Sequence, residues 1–301
     1  MKTCSVIIPA YNEESLIGEC LDSVIANKET FKGDLEIIVI ANACTDSTTE
    51  IVRKYDGIKL VETEIPGKPN ALNLSDGVAN FFPRIYIDAD LTISDNLVSE
   101  IFETLSAEKI KLASSSLKLN SNGVRNRLVK DYFNVWLDNV NLRNMTAETS
   151  RFGGVYALSE EGRRRFDKFP NVLAEDSYIK NLFSVDERKV NNNCFYYMKP
   201  SKTTMQAINQ RMRWCASNLQ LTKEHFYKDG LKPKSPLQYI QDHITSYLKT
   251  RGMREIGKFF HFMTVYSVAL VCGYLKYHFG DMNHWNGDGV RKSSSKDKIY
   301  K

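Results

Sequence analysis

The first ninety residues repeat one pattern: a short apolar run, a polar turn, then a segment with helical spacing. The apolar runs are Ser5–Ile8, Leu35–Ile40, Ile58–Val61 and Arg84–Ile87. Leu35–Ile40 (L-E-I-I-V-I) is rich in β-formers and continuous enough to be buried on both faces. Between the runs lie helical patterns: Leu16, Ile17, Cys20, Leu21, Val24 and Ile25, then Thr48–Tyr55, then a short helix opened by Gly67-Lys68-Pro69-Asn70. Asn12 is placed to cap the first of these helices. Strand and helix alternating at this spacing predict right-handed βαβ units and a parallel sheet. In such a sheet a ligand sits beyond the carboxyl ends of the strands. The polar loops Pro9–Glu14, Asn42–Ser47 and Asp88–Asp90 all fall there.

The last of these loops carries the strongest chemical signal. Arg84–Leu91 reads R-I-Y-I-D-A-D-L, so two carboxylates follow a strand one residue apart. They converge if the strand runs on, and share a mouth if the chain turns. Two close carboxylates repel unless a cation separates them, and hard oxygen ligands suit Mg²⁺ or Mn²⁺. A lone D-x-D is more often a solvated turn; here its setting among the other loops favours the cation. There is no G-x-G-x-x-G after the first strand and no G-x-x-x-x-G-K-[ST] anywhere, so dinucleotide-dehydrogenase and P-loop readings lose their main support.

The second half is less regular. Helical spacing covers Asn96–Leu105, Val124–Asn144 and Thr203–Leu221, and strand patterns cover Lys111–Leu119, Val155–Leu158 and Val190–Met198. Gly153-Gly154 allows either a close backbone approach or a bulge. Glu175-Asp176 opens a helix, where acids are also simply good dipole partners.

Composition bounds the rest. At 301 residues with 42% hydrophobic and 26% charged, the chain has material for a sizeable core. Six cysteines without metal-like spacing read as reduced packing thiols of a cytosolic protein. No signal peptide is evident at the start of the sequence. Net charge is +5, but residues 222–301 hold 14 Lys/Arg against 7 Asp/Glu. A basic end suits an anionic surface. Phe259–Leu275 is apolar but diluted by His261, Thr264, Tyr266 and Ser267, which favours a buried or interfacial helix over a membrane span. Residues 281–301 read as disordered.

Taken together, P-A-Y-N-E-E at Pro9–Glu14, N-A-C-T-D at Asn42–Asp46, G-K-P-N-A-L-N at Gly67–Asn73, D-A-D at Asp88–Asp90, G-G at Gly153–Gly154, E-D at Glu175–Asp176 and Q-R-M-R-W at Gln210–Trp214 resemble the family 2 glycosyltransferases. These are inverting enzymes of the GT-A fold, an α/β nucleotide-diphospho-sugar transferase fold with a mostly parallel central sheet flanked by helices. The resemblance covers roughly residues 4–221, and Q-x-x-R-W is similar to the signature of polysaccharide synthases. It implies a catalytic domain over 1–221, with a nucleotide-sugar half to about residue 95 and an acceptor half over 96–221. A basic helical extension, possibly membrane-associated, then spans 222–280, and a disordered tail spans 281–301.

Residue by residue, the resemblance implies that Ala10, Tyr11 and Glu13 cradle the nucleoside. Asn42 stands where many members place an Asp against uracil; it keeps an acceptor oxygen but lacks the charge. Lys68 belongs to the donor side. Asp88 reaches the ribose and phosphate region and shares with Asp90 a Mg²⁺ or Mn²⁺ ion. Gly153 and Gly154 border the acceptor site, Asp176 is the base, and Glu175 is its structural partner at the substrate site. Gln210, Arg213 and Trp214 close over the diphosphate and the acceptor sugar, with Arg213 stabilising the leaving group.

The expected function is therefore inverting sugar transfer from a nucleotide sugar, a UDP-sugar first, to a glycan or lipid-linked acceptor. It would take place at the inner face of the cell membrane, through peripheral contact and without nucleic acid. A processive polysaccharide synthase and a non-catalytic sugar-nucleotide-binding scaffold are the alternatives. A sugar-phosphate nucleotidyltransferase needs a Gly-rich basic loop after the first strand, and Pro9–Glu14 lacks it.

Overall fold

The computed structural model describes residues 2–144, 151–223, 241, 247 and 256–279. In chain order the elements are β1 (Thr3–Ala10), α1 (Ile17–Phe31), β2 (Asp34–Asn42), α2 (Thr48–Val52), β3 (Ile58–Thr63), α3 (Lys68–Asp76), β4 (Arg84–Ile87) and β5 (Leu91–Ile93). They continue with α4 (Leu97–Leu105), β6 (Leu112–Leu119), α5 (Arg127–Asn144), β7 (Val155–Leu158), α6 (Glu160–Arg163), α7 (Glu175–Asn181), β8 (Arg188–Met198), α8 (Thr204–Lys223) and α9 (Ile256–Phe279). The expected disordered tail at 281–301, and most of 222–255, lie outside the described residues.

The strands form one sheet in the order β3-β2-β1-β4-β7-β6-β8-β5. The first four pair in parallel, as the βαβ repeat requires. Beyond β4 the direction changes: β7 is antiparallel to both β4 and β6, and β5 is antiparallel to β8. The expected parallel character therefore belongs to the N-terminal half. The reversal has a positional consequence. Because Ile87 pairs with Val155, the residues just before β7 lie beside the residues just after β4. Gly153-Gly154 is thus delivered to the carboxyl end of the parallel strands.

Val6, Ile7 and Ile8 of β1 and Ile38, Val39 and Ile40 of β2 are fully buried, which is why these runs are apolar on both faces. Asn12 is not the cap of α1. The helix starts at Ile17 with Leu16 at its N-cap, while Asn12 adopts a left-handed φ of 53° and accepts a hydrogen bond from Thr45 N–H at 2.7 Å. Its amide serves the neighbouring loop, not the helix.

The chain divides into two compact units: Met1–Lys118 with Arg143–Met198, and Leu119–Leu142 with Lys199–Lys301. The first holds the sheet. The second takes in most of α5, with α8 and α9. In it α8 and α9 approach closely, since a Cβ on Gly273 would lie 2.9 Å from the Met212 carbonyl oxygen and 3.1 Å from Cys215 Cβ. Ring stacking of Tyr132 on Phe262 at 5.5 Å joins α5 to α9. Trp136 stacks on Trp214 at 5.2 Å and joins α5 to α8.

In the first unit a carboxylate binds α3 to the sheet and to α6. Asp76 at the end of α3 pairs with Arg84 through one oxygen and with Arg163 through the other. Arg84 also donates to the Ala79 carbonyl at 2.9 Å, and Arg163 to that of Phe166 at 2.6 Å. Both guanidinium groups are about nine-tenths buried, and breaking such a network from one side strands its partners. Asp76→Ala should therefore lower unfolding free energy by about 3 kcal/mol, read as a reduced urea midpoint with an unchanged slope.

Candidate active site

Three loops meet at the carboxyl ends of β1, β2 and β4. The first two are laced together. Asn12 N–H donates to Cys44 Sγ at 3.5 Å, Glu13 N–H to Thr48 Oγ1 at 2.8 Å and Glu14 N–H to Asp46 Oδ2 at 3.2 Å. Ala10 is buried, its carbonyl accepting from Cys44 Sγ at 3.4 Å. Tyr11 and Glu13 are half-buried on the same loop. Asn42, at the end of β2, is buried, and its Oδ1 has no hydrogen-bond partner. An acceptor held without a donor is costly to bury, and a ligand N–H would complete it.

After β4 the chain turns rather than running on: Leu91 N–H donates to the Asp88 carbonyl at 3.1 Å. The turn leads straight into β5, a three-residue strand too short to show in the sequence pattern. Asp88 and Asp90 therefore share a mouth. Cys20 of α1 lies beneath them, its Sγ 4.0 Å from the Asp88 carbonyl oxygen. Burial, and then Asp90, Asp88 and Glu13, hold its thiol neutral.

Lys68 is brought to this mouth by the turn into α3. Gly67, with φ of 125°, makes a bend that side-chain-bearing residues resist, and Lys68 is the first residue of the helix. Its Nζ sits 2.5 Å from Asp88 Oδ1 and also pairs with Glu175 Oε1. Burial works against the ammonium, but the two carboxylates outweigh it and raise its pKa.

Glu175 and Asp176 diverge at the start of α7. Glu175 is 3% exposed, and burial pushes its pKa up to about 7 despite Lys68, with Asp176 and Asp88 adding to the rise. Burial likewise raises Asp88, Lys68 opposes this and Asp90 reinforces it. Asp176 is half-buried and faces the glycine pair. A Cβ on Gly153 would lie 2.6 Å from Asp176 Oδ2 and 2.9 Å from Arg151 Nη2. Gly154 has φ of 87°, and its carbonyl accepts from Asp88 N–H at 3.0 Å. Tyr196 of β8 donates its hydroxyl to the Gly153 carbonyl at 2.6 Å.

Asp88, Asp90, Asp176, Glu175, Lys68 and the glycine pair are thus held in one region of the first unit. Arg151 and Tyr196 belong to it as well. Neither stands out in the sequence, since the signal is only their contact with Gly153 in three dimensions.

Gln210, Arg213 and Trp214 lie in the second unit. Gln210 Oε1 accepts from Ser201 at 3.1 Å. One face of Trp214 is covered by Trp136. Arg211, not Arg213, is the buried arginine of the motif, with its guanidinium 4.5 Å from the Tyr266 ring centre. Arg213 and Trp214 are half-buried.

Among the described residues no three His, Cys, Asp or Glu side chains converge as a closed metal site. The Asp88–Asp90 pair, in which Asp90 adds to the rise of Asp88, fits a hard divalent ion that completes its shell with water and substrate phosphate.

If Gly153 is bare in order to admit the Asp176 carboxylate, a single methyl is enough to disturb it. Gly153→Ala should cut catalytic turnover by at least about 100-fold, with circular dichroism and the urea midpoint close to wild type.

Residues 5–153 match the family model for glycosyl transferase family 2. The poly(ribitol-phosphate) beta-glucosyltransferase of Bacillus spizizenii is 30% identical over 138 residues, which are 42% of this chain and 21% of that protein. The chain thus spans about a fifth of that relative's length. Among solved structures, a mannosyltransferase from Pyrobaculum calidifontis in complex with GDP-Man and Mn²⁺ aligns with a TM-score of 0.60 at 21% identity, covering 99% of this chain and 81% of that one. The Staphylococcus aureus TarS fragment 1–349 in complex with UDP aligns with a TM-score of 0.51 at 18% identity, covering 93% and 92%. Sequence and fold agree: the chain belongs to the family 2 glycosyltransferases and has their GT-A fold.

Proposed function

We propose that this glycosyltransferase moves a sugar, with inversion, from a nucleoside-diphosphate sugar to a hydroxyl of a cell-surface glycan or lipid-linked acceptor. One observation carries the reading: Asp176 is packed against Gly153 and lies within electrostatic reach of Asp88. A carboxylate at the glycine pair stands in the same region as carboxylates suited to holding a cation.

In this reading Asp176 takes the proton of the acceptor hydroxyl as that oxygen attacks the anomeric carbon. Gly153 leaves room for the carboxylate, and the Tyr196 hydroxyl fixes the loop on which the acceptor rests. Asp88 and Asp90 would hold a Mg²⁺ or Mn²⁺ ion, which neutralises charge on the departing diphosphate. Ala10, Tyr11, Glu13 and Asn42 form the nucleoside cradle, where uracil's N3–H is a suitable donor for the Asn42 oxygen. The neighbours hold both GDP-Man and UDP, so the base is a matter for experiment. Gln210, Arg213 and Trp214, in the second unit, are marked by the family motif as candidates for substrate contact.

A panel of UDP-, GDP- and CDP-sugars, assayed for Mn²⁺-dependent hydrolysis, tests the reaction class. UDP-sugar turnover that is abolished by EDTA is expected, and full activity in excess chelator would overturn the metal assignment. Asp176→Asn should lower turnover by roughly 10²–10⁴-fold with donor affinity near wild type. Normal turnover in that variant would remove Asp176 as base.

We also place the enzyme at the inner face of the cell membrane. The support is α9, which by length and composition could cross a bilayer. Its inner face is already used, with Phe259, Phe262, Val265, Tyr266, Ala269 and Gly273 buried. His261 is held to buried Asp131 of α5 at 2.8 Å. Its other face exposes Phe260, Val268, Val271, Leu275 and Phe279. The helix has no acidic residue and carries Lys258 and Lys276. Such a helix lies along an anionic interface rather than through it. Val271→Asp should reduce co-flotation with phosphatidylglycerol vesicles and leave hydrolysis of the donor unchanged; unaltered flotation would refute the contact.

A further inference from the structure

Lys68 occupies an unusual position for a donor-side cation. Its ammonium touches the carboxylate that is proposed to bind the metal, at 2.5 Å, and is held there by a second, buried carboxylate, Glu175. Lys68 and Asp88 side chains are each about one-third exposed, whereas Glu175 is almost wholly enclosed. The anchored end of the arrangement is therefore the Lys68–Glu175 pair, and the open end is Asp88.

We propose that Lys68 is an internal counter-ion that stands in for the divalent cation at Asp88 in the donor-free enzyme, making metal binding depend on the donor. This inference rests on the metal reading above.

The argument is one of charge and space. Asp88, Asp90, Glu175 and Asp176 bring four carboxylates into one region, and two of them, Asp88 and Glu175, pair directly with Lys68. Lys68 is the ammonium on which Asp88 and Glu175 converge. A divalent ion arriving alone must share Asp88 with that ammonium or displace it, and like charges within a few ångströms repel. A nucleoside diphosphate changes the balance, because its phosphates supply negative charge to both cations. Lys68 can then leave Asp88 for a phosphate oxygen while Glu175 keeps it at the site. Metal and donor therefore enter together, and the acid cluster is not held by a metal ion when no donor is present.

The sign of the resulting prediction is opposite to that for an ordinary binding residue. Removing Lys68 should strengthen the binding of Mn²⁺ alone. Titration calorimetry, or the loss of the free-Mn²⁺ electron-paramagnetic-resonance signal, reads this without any turnover. Lys68→Met should tighten Mn²⁺ binding in the absence of nucleotide on the order of tenfold. Lys68→Arg keeps the charge and should bind Mn²⁺ as weakly as wild type. Saturating UDP or GDP should shrink the difference between wild type and Lys68→Met.

The double variant Lys68→Met/Glu175→Gln leaves no buried carboxylate without its partner. It should also bind Mn²⁺ more tightly than wild type, and serves if the single variant fails to fold. Folded Lys68→Met, or the folded double variant in its place, binding Mn²⁺ alone no better than wild type overturns the inference. If wild type takes up Mn²⁺ with a nucleoside diphosphate in that same case, the metal reading survives without it. If neither protein binds Mn²⁺ with UDP or GDP, the metal reading fails and this inference with it.

Discussion

The site depends on how one ammonium is shared. Asp88 and Glu175 come from distant parts of the chain and meet on Lys68. Left to themselves, carboxylates this crowded repel, and burial makes their ionised forms costlier still. Lys68 offsets part of that cost, and in doing so it joins three elements: the turn after β4, the N-terminus of α3 and the N-terminus of α7. The position of Lys68 rests in turn on the backbone bend at Gly67 and on the anchoring of the other end of α3. There Asp76 is held between Arg84 and Arg163. A chain of ion pairs therefore runs along α3, structural at one end and chemical at the other.

The change of strand direction at β7 is what completes the region. A parallel neighbour would start at the opposite end of the strands, away from Asp88. With β7 antiparallel to β4, the glycine pair before it lies next to Asp88, and the Gly154 carbonyl accepts from Asp88 N–H. Asp176 then packs where a Gly153 side chain would be. The reversal gathers the glycine pair and Asp176 at the same end of the sheet as Asp88.

Much of this was legible in the sequence, for identifiable reasons. β1, β2 and β4 are interior strands with buried apolar runs, while β3, at the sheet edge, keeps an only partly buried one. Arg84–Ile87 and Val155–Leu158 have the limits that their patterns indicate. β5 was not legible, because three residues following a turn carry no period. Nor was the true role of Asn12, since a polar residue before a helix has the same appearance whether it caps that helix or, as here, binds a neighbouring loop. For the site, Asp88 and Asp90 were marked by their type and spacing, and Lys68 and Asp176 by the family resemblance. Arg151 and Tyr196 were not marked, because only the folded sheet places them against Gly153. Glu175 and Asp176 adjoin in sequence and yet face different partners. That divergence follows from α7 beginning at Glu175, where successive side chains are turned by about 100° around the helix axis.

The same helical geometry sorts the Q-R-M-R-W segment. On α8 the residues Ala207, Arg211 and Cys215 are buried, a spacing of four that defines the stripe packed within the second unit. Arg211 lies on that stripe, its guanidinium over Tyr266, so the first arginine of the motif is a packing residue despite its charge. Gln210, Arg213 and Trp214 fall to either side and remain half-buried. Arg213 is two residues, or about 200°, from Arg211, and so points away from the face that fastens the helix. Two arginines that are indistinguishable by type are thus separated by phase alone. The one carried over from the family motif as a site residue is the one that the packing of α8 does not require.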